Sequence, residues 1–355
     1  KYSKGKTYNK YFGGVAIPML PFFLIGHMIT SLSGGEADGY SYWYQISISC
    51  AAIFYLILSL LIMRKILSSY HIRDSIIAFS ILAIVFGTNW YYYVLAEPAM
   101  SHVYSVFLIS LFLWRMMKWR DTETNSELVF MGIILGLITW VRPLNAIVIL
   151  SAPLVFNSWF EFKNRATKLF KNVKLWPIAL IPGLIVLLQL LVYKIQTGSW
   201  LIYSYEEEGF NFTNPEMWNI LFSYKKGLFL YTPILLIALI FNFLYYKRNK
   251  FKGVVSMLFF VAITYFLSSW WNWYYGGSFS SRAYLEYYVF FLIPLAVGLN
   301  DIRIKSYRLS FQSVIVLLIL FCQFQTYQYR YMVIHWDNMT KEKYWDVFLN
   351  FDFLM

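Results

Sequence analysis

Tyr44–Met63 reads YQISISCAAIFYLILSLLIM, and Arg64-Lys65 follow at once. Twenty residues without an Asp, Glu, Lys, Arg or His make about 30 Å of helix, the thickness of a bilayer's hydrocarbon core. The same pattern, an apolar run closed by a short basic loop, recurs along all 355 residues. The chain is 59% hydrophobic and 21% aromatic but only 14% charged, so the solvent it is built for is lipid. The longest polar interval, roughly 196–226, is too short to bury a core of its own. The reading is therefore an all-α, polytopic transmembrane helical bundle with 1–355 as one membrane domain.

About ten spans are expected: Tyr44–Met63, Ser75–Leu95, Ala99–Met117, Leu128–Trp140, Leu144–Trp159, Leu175–Ile195, Leu228–Tyr246, Val254–Trp270, Leu285–Leu299 and Leu309–Thr326. The formal charge of +12 would suggest nucleic acid in a soluble chain. Here it falls in five short loops, carried by Arg64, Lys65 and Arg73; Arg115, Lys118 and Arg120; Lys163, Arg165, Lys168, Lys171 and Lys174; Lys247, Arg248, Lys250 and Lys252; and Arg303, Lys305 and Arg308. Those loops are assigned to the cytoplasm by the positive-inside rule, and no nucleic-acid partner is implied. The opposite set faces outward: 34–42, 89–98, the surroundings of Arg142, the long loop 197–226, residues 270–282 and the tail 328–355. Cys50 and Cys322 lie inside apolar segments without a CxxC or Cys/His cluster, so neither a disulfide framework nor a metal site is indicated. The chain opens on KYSKGKTYNK with no signal-like pattern, and further sequence is expected upstream of it.

Phe12–Leu32 is apolar enough to span but carries Pro18, Pro21 and Gly26 and follows four lysines. If it spans, 1–10 is cytoplasmic; if it lies on the outer face as a broken juxtamembrane helix, both its ends are outside.

The outward loops carry groups that topology does not require. Glu97 in AEPAMSHVYS stands at a helix mouth with His102 about one and a half turns on, and ionisable groups at a membrane edge are functional candidates. Lys225-Lys226 in SYKKGLFLYTP oppose the positive-inside bias; they serve either as anchors to lipid phosphate or as point charges on an anionic substrate, with Gly227 allowing close backbone approach. Arg142 in TWVRPLN interrupts an apolar region beside Pro143, either as a snorkelling side chain or where the backbone lines a cavity. Residues 270–282, WWNWYYGGSFSSR, hold six large aromatics, two glycines and Arg282. An interfacial belt accounts for Trp270, Trp271 and Trp273. It does not account for Gly276-Gly277 followed by hydroxyls and a guanidinium, which suit close approach of a phosphate, with Trp271, Trp273 and Tyr274 offering faces to a sugar ring. Asp38 and Asp337 read as solvated turn acids flanking the cavity.

Together AEPAMSHVYS, TWVRPLN, SYKKGLFLYTP, WWNWYYGGSFSSR, IHWDNMTKEKYW and GGVAIPMLPFFLIGH resemble the polytopic GT-C-type glycosyltransferases of Bacteroidetes-like bacteria, distant relatives of the lipid-linked mannosyl- and aminoarabinose transferases. The resemblance runs along nearly the whole chain. It implies a polyprenyl-phosphate sugar donor, an unknown glycan, lipid or protein acceptor, membrane lipids as surroundings, and a bacterial inner membrane with the active face in the periplasm. It implies that Phe12–Leu32 is the family's juxtamembrane helix on the outer face, that Lys225, Lys226, Arg282 and Arg142 hold the donor phosphate, and that Glu97 or His102 acts on hydroxyls. Its general base belongs in an outer loop ahead of that helix, where this chain shows no Asp or Glu, so the base is expected upstream of Lys1. No cofactor motif is visible, and a divalent metal is left open. The alternative is a flippase or transporter of lipid-linked sugar that makes no bond; only one helix interruption, at Arg142-Pro143, reads as a transporter would require.

Overall fold

The computed structural model describes residues 2–3, 6–171 and 176–351. Lys1, Lys4, Lys174, Leu175 at the start of one expected span, and the last four residues of the expected outward tail lie outside the described residues. Apart from a pair of two-residue strands, β1 (Tyr2–Ser3) and β2 (Lys6–Thr7), the described chain is helical: α1 (Ala16–Leu32), α2 (Tyr42–Ser68), α3 (Asp74–Phe86), α4 (Trp90–Ala96), α5 (Ser101–Thr122), α6 (Asn125–Val141), α7 (Trp159–Lys171), α8 (Trp176–Thr197), α9 (Met217–Phe222), α10 (Leu228–Tyr231), α11 (Ile234–Arg248), α12 (Lys250–Ser268), α13 (Tyr288–Asp301), α14 (Lys305–Arg330) and α15 (Lys341–Val347). Short 3-10 turns precede α1 (Gly13–Val15) and α13 (Arg282–Tyr287), and a 13-residue one follows α6 (Pro143–Val155).

Six helical stretches among the described residues are long and apolar enough to cross a membrane: Gly13–Leu32, Tyr42–Ser68, Trp176–Thr197, Lys250–Ser268, Arg282–Asp301 and Lys305–Arg330. Two bent pairs, α3 with α4 at 61° and Pro143–Val155 with α7 at 118°, raise the number to eight. The difference from ten has local causes. Pro143 pushes Arg142 into extended backbone (φ −149°, ψ 113°), which ends α6 after 17 residues. Thr232-Pro233 splits the expected Leu228–Tyr246 span into α10 and α11. In α5, His102 at one end and Arg115, Lys118 and Arg120 at the other dilute the apolar run. By length and apolarity Gly13–Leu32 meets the requirement for a span.

Where the sequence reads as one domain, the chain divides into two compact units, Lys1–Ile62 with Glu97–Gly209, and Met63–Ala96 with Phe210–Met355. Each is assembled from two separated segments, with one division falling inside α2, so no linker marks them in the sequence.

In the first unit, α6 packs on α8 through Gly132 and Gly136, four residues apart. A Cβ at Gly132 would lie 2.2 Å from the Pro177 carbonyl oxygen, and one at Gly136 would lie 2.5 Å from Ile185 Cδ1. Small residues at this spacing let membrane helices approach to backbone contact. Gln189, 2% exposed, accepts from the Gly13 N–H and the Trp140 indole N–H at 2.9 Å each, which joins the turn before α1 to the end of α6 and to α8. α1 meets α2 where Gly26 faces Ser47, and the His27 Nδ1 lies 2.5 Å from the Tyr44 hydroxyl.

In the second unit, α13 is the interior helix, with every residue from Tyr288 to Leu299 buried. A helix apolar on all sides must be surrounded, and α3, α11 and α14 pack around it, Gly298 against the Phe241 ring. At the α3–α4 break, the Asn89 carbonyl accepts from the Tyr93 N–H at the start of α4, and its side chain accepts from the Tyr288 hydroxyl at 2.5 Å and donates to the Phe279 carbonyl at 2.9 Å.

Candidate functional site

The loop between α12 and α13 holds the sequence that is hardest to explain structurally, and it is fixed from several sides within the second unit. Asn89 donates to the Phe279 carbonyl, and the Phe279 N–H donates to the Tyr93 hydroxyl at 3.1 Å. The Phe279 ring, fully buried, packs among Tyr92, Tyr231 and Tyr329 with centroids 5.4 to 6.0 Å away. The Tyr275 hydroxyl donates to the Leu267 carbonyl at 3.0 Å. Against this anchoring the backbone takes left-handed conformations at Tyr275 (φ 58°), Gly276 (φ 68°) and Ser280 (φ 56°). Such conformations in non-glycine residues are retained where the surroundings over-determine them, and they cluster at functional sites.

Lys226 is the clasp. It is 2% exposed, and its ammonium donates to the Ser278 and Trp336 carbonyls at 2.5 Å each, joining the loop to the segment after α14. The Ser278 N–H also donates to the Trp336 carbonyl, at 3.3 Å. Burial pulls the Lys226 ammonium down to about 7; Asp337 pulls it back up, and the charges of Lys225 and Arg282 push it further down. Three cations thus crowd one region, close enough to disfavour each other. Lys225 lies over the Tyr274 ring at 3.3 Å, and Arg282 Nη1 donates to the Gly277 carbonyl at 3.4 Å. Glycine at 277 leaves room for the Trp336 ring, since a Cβ there would stand 2.6 Å from it. The hydroxyls of Ser280 and Ser281 and Oδ1 of Asp337 are buried with no protein hydrogen-bond partner. Buried polar atoms of this kind call for a further polar group or water between them.

Among the sequence candidates, Lys225, Lys226, Arg282, Tyr274 and Gly277 therefore come together in the second unit, joined by Gly276. Lys226 differs from the expected phosphate ligand: two backbone carbonyls occupy its ammonium, and its position is structural as much as electrostatic. Trp271 is 54% exposed, and Trp273 meets Tyr274 edge-on at 5.4 Å. Asp337, read as a solvated turn acid, instead lies beside the cations with one oxygen buried. Asn89, Tyr93 and Tyr329 were missed; a polar Asn inside the apolar run 75–95 was the available signal for the first of these.

His102 and Arg142 belong to the first unit, together with Glu97. Arg142 Nη1 lies 3.0 Å from His102 Nδ1, and a guanidinium has no acceptor, so Nδ1 accepts and the imidazole carries its proton on Nε2. Asn145, 1% exposed, donates to the Ser105 hydroxyl at 3.4 Å. Glu97 sits half-buried in the turn before α5, its carbonyl accepting from the Met100 N–H. Burial raises the Tyr205 phenol above its ordinary range, and the Arg142 charge opposes that rise, which brings the loop after α8 to the Arg142 side chain. There Lys10 pairs with Glu208 at 2.5 Å beside the Tyr205 ring, a set with no local signal in the sequence. Asp38 accepts from the Tyr40 and Ser41 N–H groups, which lowers its carboxyl below the usual range, as in a solvated Asx turn.

No family model, curated protein or solved structure matches the chain.

Proposed function

We propose that this protein is a GT-C-type glycosyltransferase that moves a sugar from a polyprenyl-phosphate donor to an acceptor on the periplasmic side of a bacterial inner membrane. The observation that supports it best is the clasped loop of the second unit, where Lys225, Lys226 and Arg282 converge beside Gly276-Gly277, exposed aromatic faces and buried unpartnered hydroxyls. In the reaction, an acceptor hydroxyl oxygen bonds to the anomeric carbon with inversion while the bond from that carbon to the phosphate oxygen breaks. The electron pair leaves with the phosphate, and the acceptor proton goes to a carboxylate base. The residues present supply the leaving-group half of this: the Lys225 ammonium and the planar Arg282 guanidinium meet the charge that grows on the phosphate, and Lys226 holds the loop carbonyls that set their spacing. In this reading α1 is the juxtamembrane helix, and Glu97 or His102 acts on hydroxyls, with Arg142 held against the His102 imidazole.

A carrier that moves the lipid-linked sugar without breaking it gains one observation over the sequence: each unit contains a bent helix pair, as discontinuous transporter helices do. A donor labelled in both phosphate and sugar, supplied to membrane vesicles containing the protein and cell-envelope acceptors, separates the two. Transfer parts the sugar label from the phosphate label when the products are separated by chromatography, whether the acceptor is glycan, lipid or protein. A carrier keeps the labels together.

A further inference from the structure

Independently of sugar transfer, the first unit carries a surface that nothing above uses. α7, WFEFKNRATKLFK, has no buried residue. Phe162, Ala166 and Leu169 recur at three- and four-residue intervals and are half-buried, while Trp159, Phe160 and Phe170 are exposed on the adjoining side, interleaved with Lys163 and Lys171. Trp159, Phe160 and Phe170 are 61%, 73% and 72% exposed.

The orientation of α7 is nevertheless fixed. Arg165 and Lys168 pair with Glu123, the residue that closes α5 in a left-handed conformation (φ 52°). The Phe162 ring packs on Phe156 at 5.6 Å, and Arg120 donates to the Val155 carbonyl at 2.6 Å, securing the segment from which α7 departs at 118°. One side of α7, Phe162 included, is thereby tied to the ends of α5 and the 3-10 segment, and Trp159, Phe160 and Phe170 are turned away from it. The chain also confines it. α8, long and apolar enough to cross a membrane, starts at Trp176, and the five peptide steps from Lys171 reach about 17 Å at most. α7 cannot leave the surface at which α8 enters the bilayer.

We propose that α7 lies in the head-group plane of that leaflet, with Trp159, Phe160 and Phe170 in the acyl boundary and Lys163 and Lys171 against anionic lipid head groups. A helix face that carries both exposed aromatic residues and lysines binds such an interface through both terms, the lysine stems reaching up to the head groups, and each lysine near an anionic surface adds to the attraction. The basic composition favours the anionic, cytoplasmic leaflet, matching the charge rule for this loop.

The test uses the full chain in nanodiscs, in a Cys50→Ser, Cys322→Ala background shown to melt like the parent, with nitroxide labels at Phe170→Cys and, separately, at Asn164→Cys on the polar face. In discs of phosphatidylcholine with phosphatidylglycerol, the label at 170 is expected to be more accessible to oxygen than to a water-soluble nickel chelate, and the label at 164 the reverse. Removing the phosphatidylglycerol, or adding Lys163→Gln with Lys171→Gln, should move the 170 label toward water. Both labels favouring the chelate would make α7 a solvated helix and overturn the proposal. Both labels closed to either reagent would mean that protein covers the face, which equally overturns it. An immersion depth that ignores lipid charge and the lysines would refute the anionic partner.

Discussion

Replacing Gly277 with Ala tests the architecture of the cationic loop with the smallest change available. The added Cβ would stand 2.6 Å from Trp336 Cε3 and 3.0 Å from Cζ3. Carbon atoms settle about 3.5–4.0 Å apart, so the indole must retreat by about 1 Å. Trp336 is 50% exposed, so the ring has room to swing, which places the cost toward the lower part of the overpacking range, about 1–2 kcal/mol. Its carbonyl does not have that freedom, since it accepts from both the Lys226 ammonium and the Ser278 N–H. Any backbone movement of Trp336 therefore lengthens the clasp and shifts the carbonyls that frame Arg282. A fall of about 2–8 °C in melting temperature is expected in nanodiscs. Affinity for a polyprenyl phosphodiester should fall about tenfold, the equivalent of ~1.4 kcal/mol. In a Trp336→Ala background the same change should be nearly silent, because the ring it strikes is gone. An unchanged melt and affinity in Gly277→Ala, or an equal loss with and without Trp336, would refute this packing.

Arg282→Lys keeps the charge but loses the planar pair of donors, and turnover of the labelled donor should drop about 10²-fold; full activity would leave Arg282 a membrane anchor. Lys226 is pulled down to about 7, so it is charged below that pH and loses its charge as pH rises through it. Affinity for a phosphodiester lipid, whose own charge is constant, should therefore weaken between about pH 6 and 9 in titrations, and Lys226→Gln should flatten the profile; a flat wild-type curve would contradict the shift. Gly132→Ala drives a methyl into the Pro177 carbonyl at 2.2 Å and should destabilise the protein by about 1–3 kcal/mol in urea or thermal unfolding, whereas Gly183→Ala, with open space around it, should not.

Much of the fold reads from composition, because a lipid solvent imposes one rule on every span: twenty apolar residues and an internally bonded backbone. That rule finds Tyr44–Met63, the run into α14 and α8 with ends off by a few residues. It fails where a proline or a polar residue interrupts the run, as at Arg142-Pro143, Thr232-Pro233 and Gly87-Thr88-Asn89, since hydropathy averages over the break. The GxxxG pair Gly132 and Gly136 was legible in spacing, but its partner, the Pro177 carbonyl, was not. At the site, residue types outlasted roles. Lys225, Lys226 and Arg282 stand out because each is a cation that topology does not need, yet only coordinates reveal that Lys226 is spent on two carbonyls. Asp337 looked like a turn acid because nothing local in IHWDN signals a lysine 111 positions earlier. Lys10 and Glu208 are likewise a long-range pair between unremarkable polar residues.

Equilibrium binding of a labelled polyprenyl-phosphate hexose to the protein in nanodiscs decides whether the clasped loop holds the phosphate of a lipid-linked sugar, as proposed. Wild-type protein should bind saturably, the uncharged polyprenol should fail to compete, and the Lys225→Met, Arg282→Gln variant should lose at least about tenfold in affinity, as expected when charge-assisted contacts to a phosphate are removed. Unchanged affinity in that variant, or competition by the uncharged polyprenol equal to that of the phosphorylated lipid, would contradict the claim.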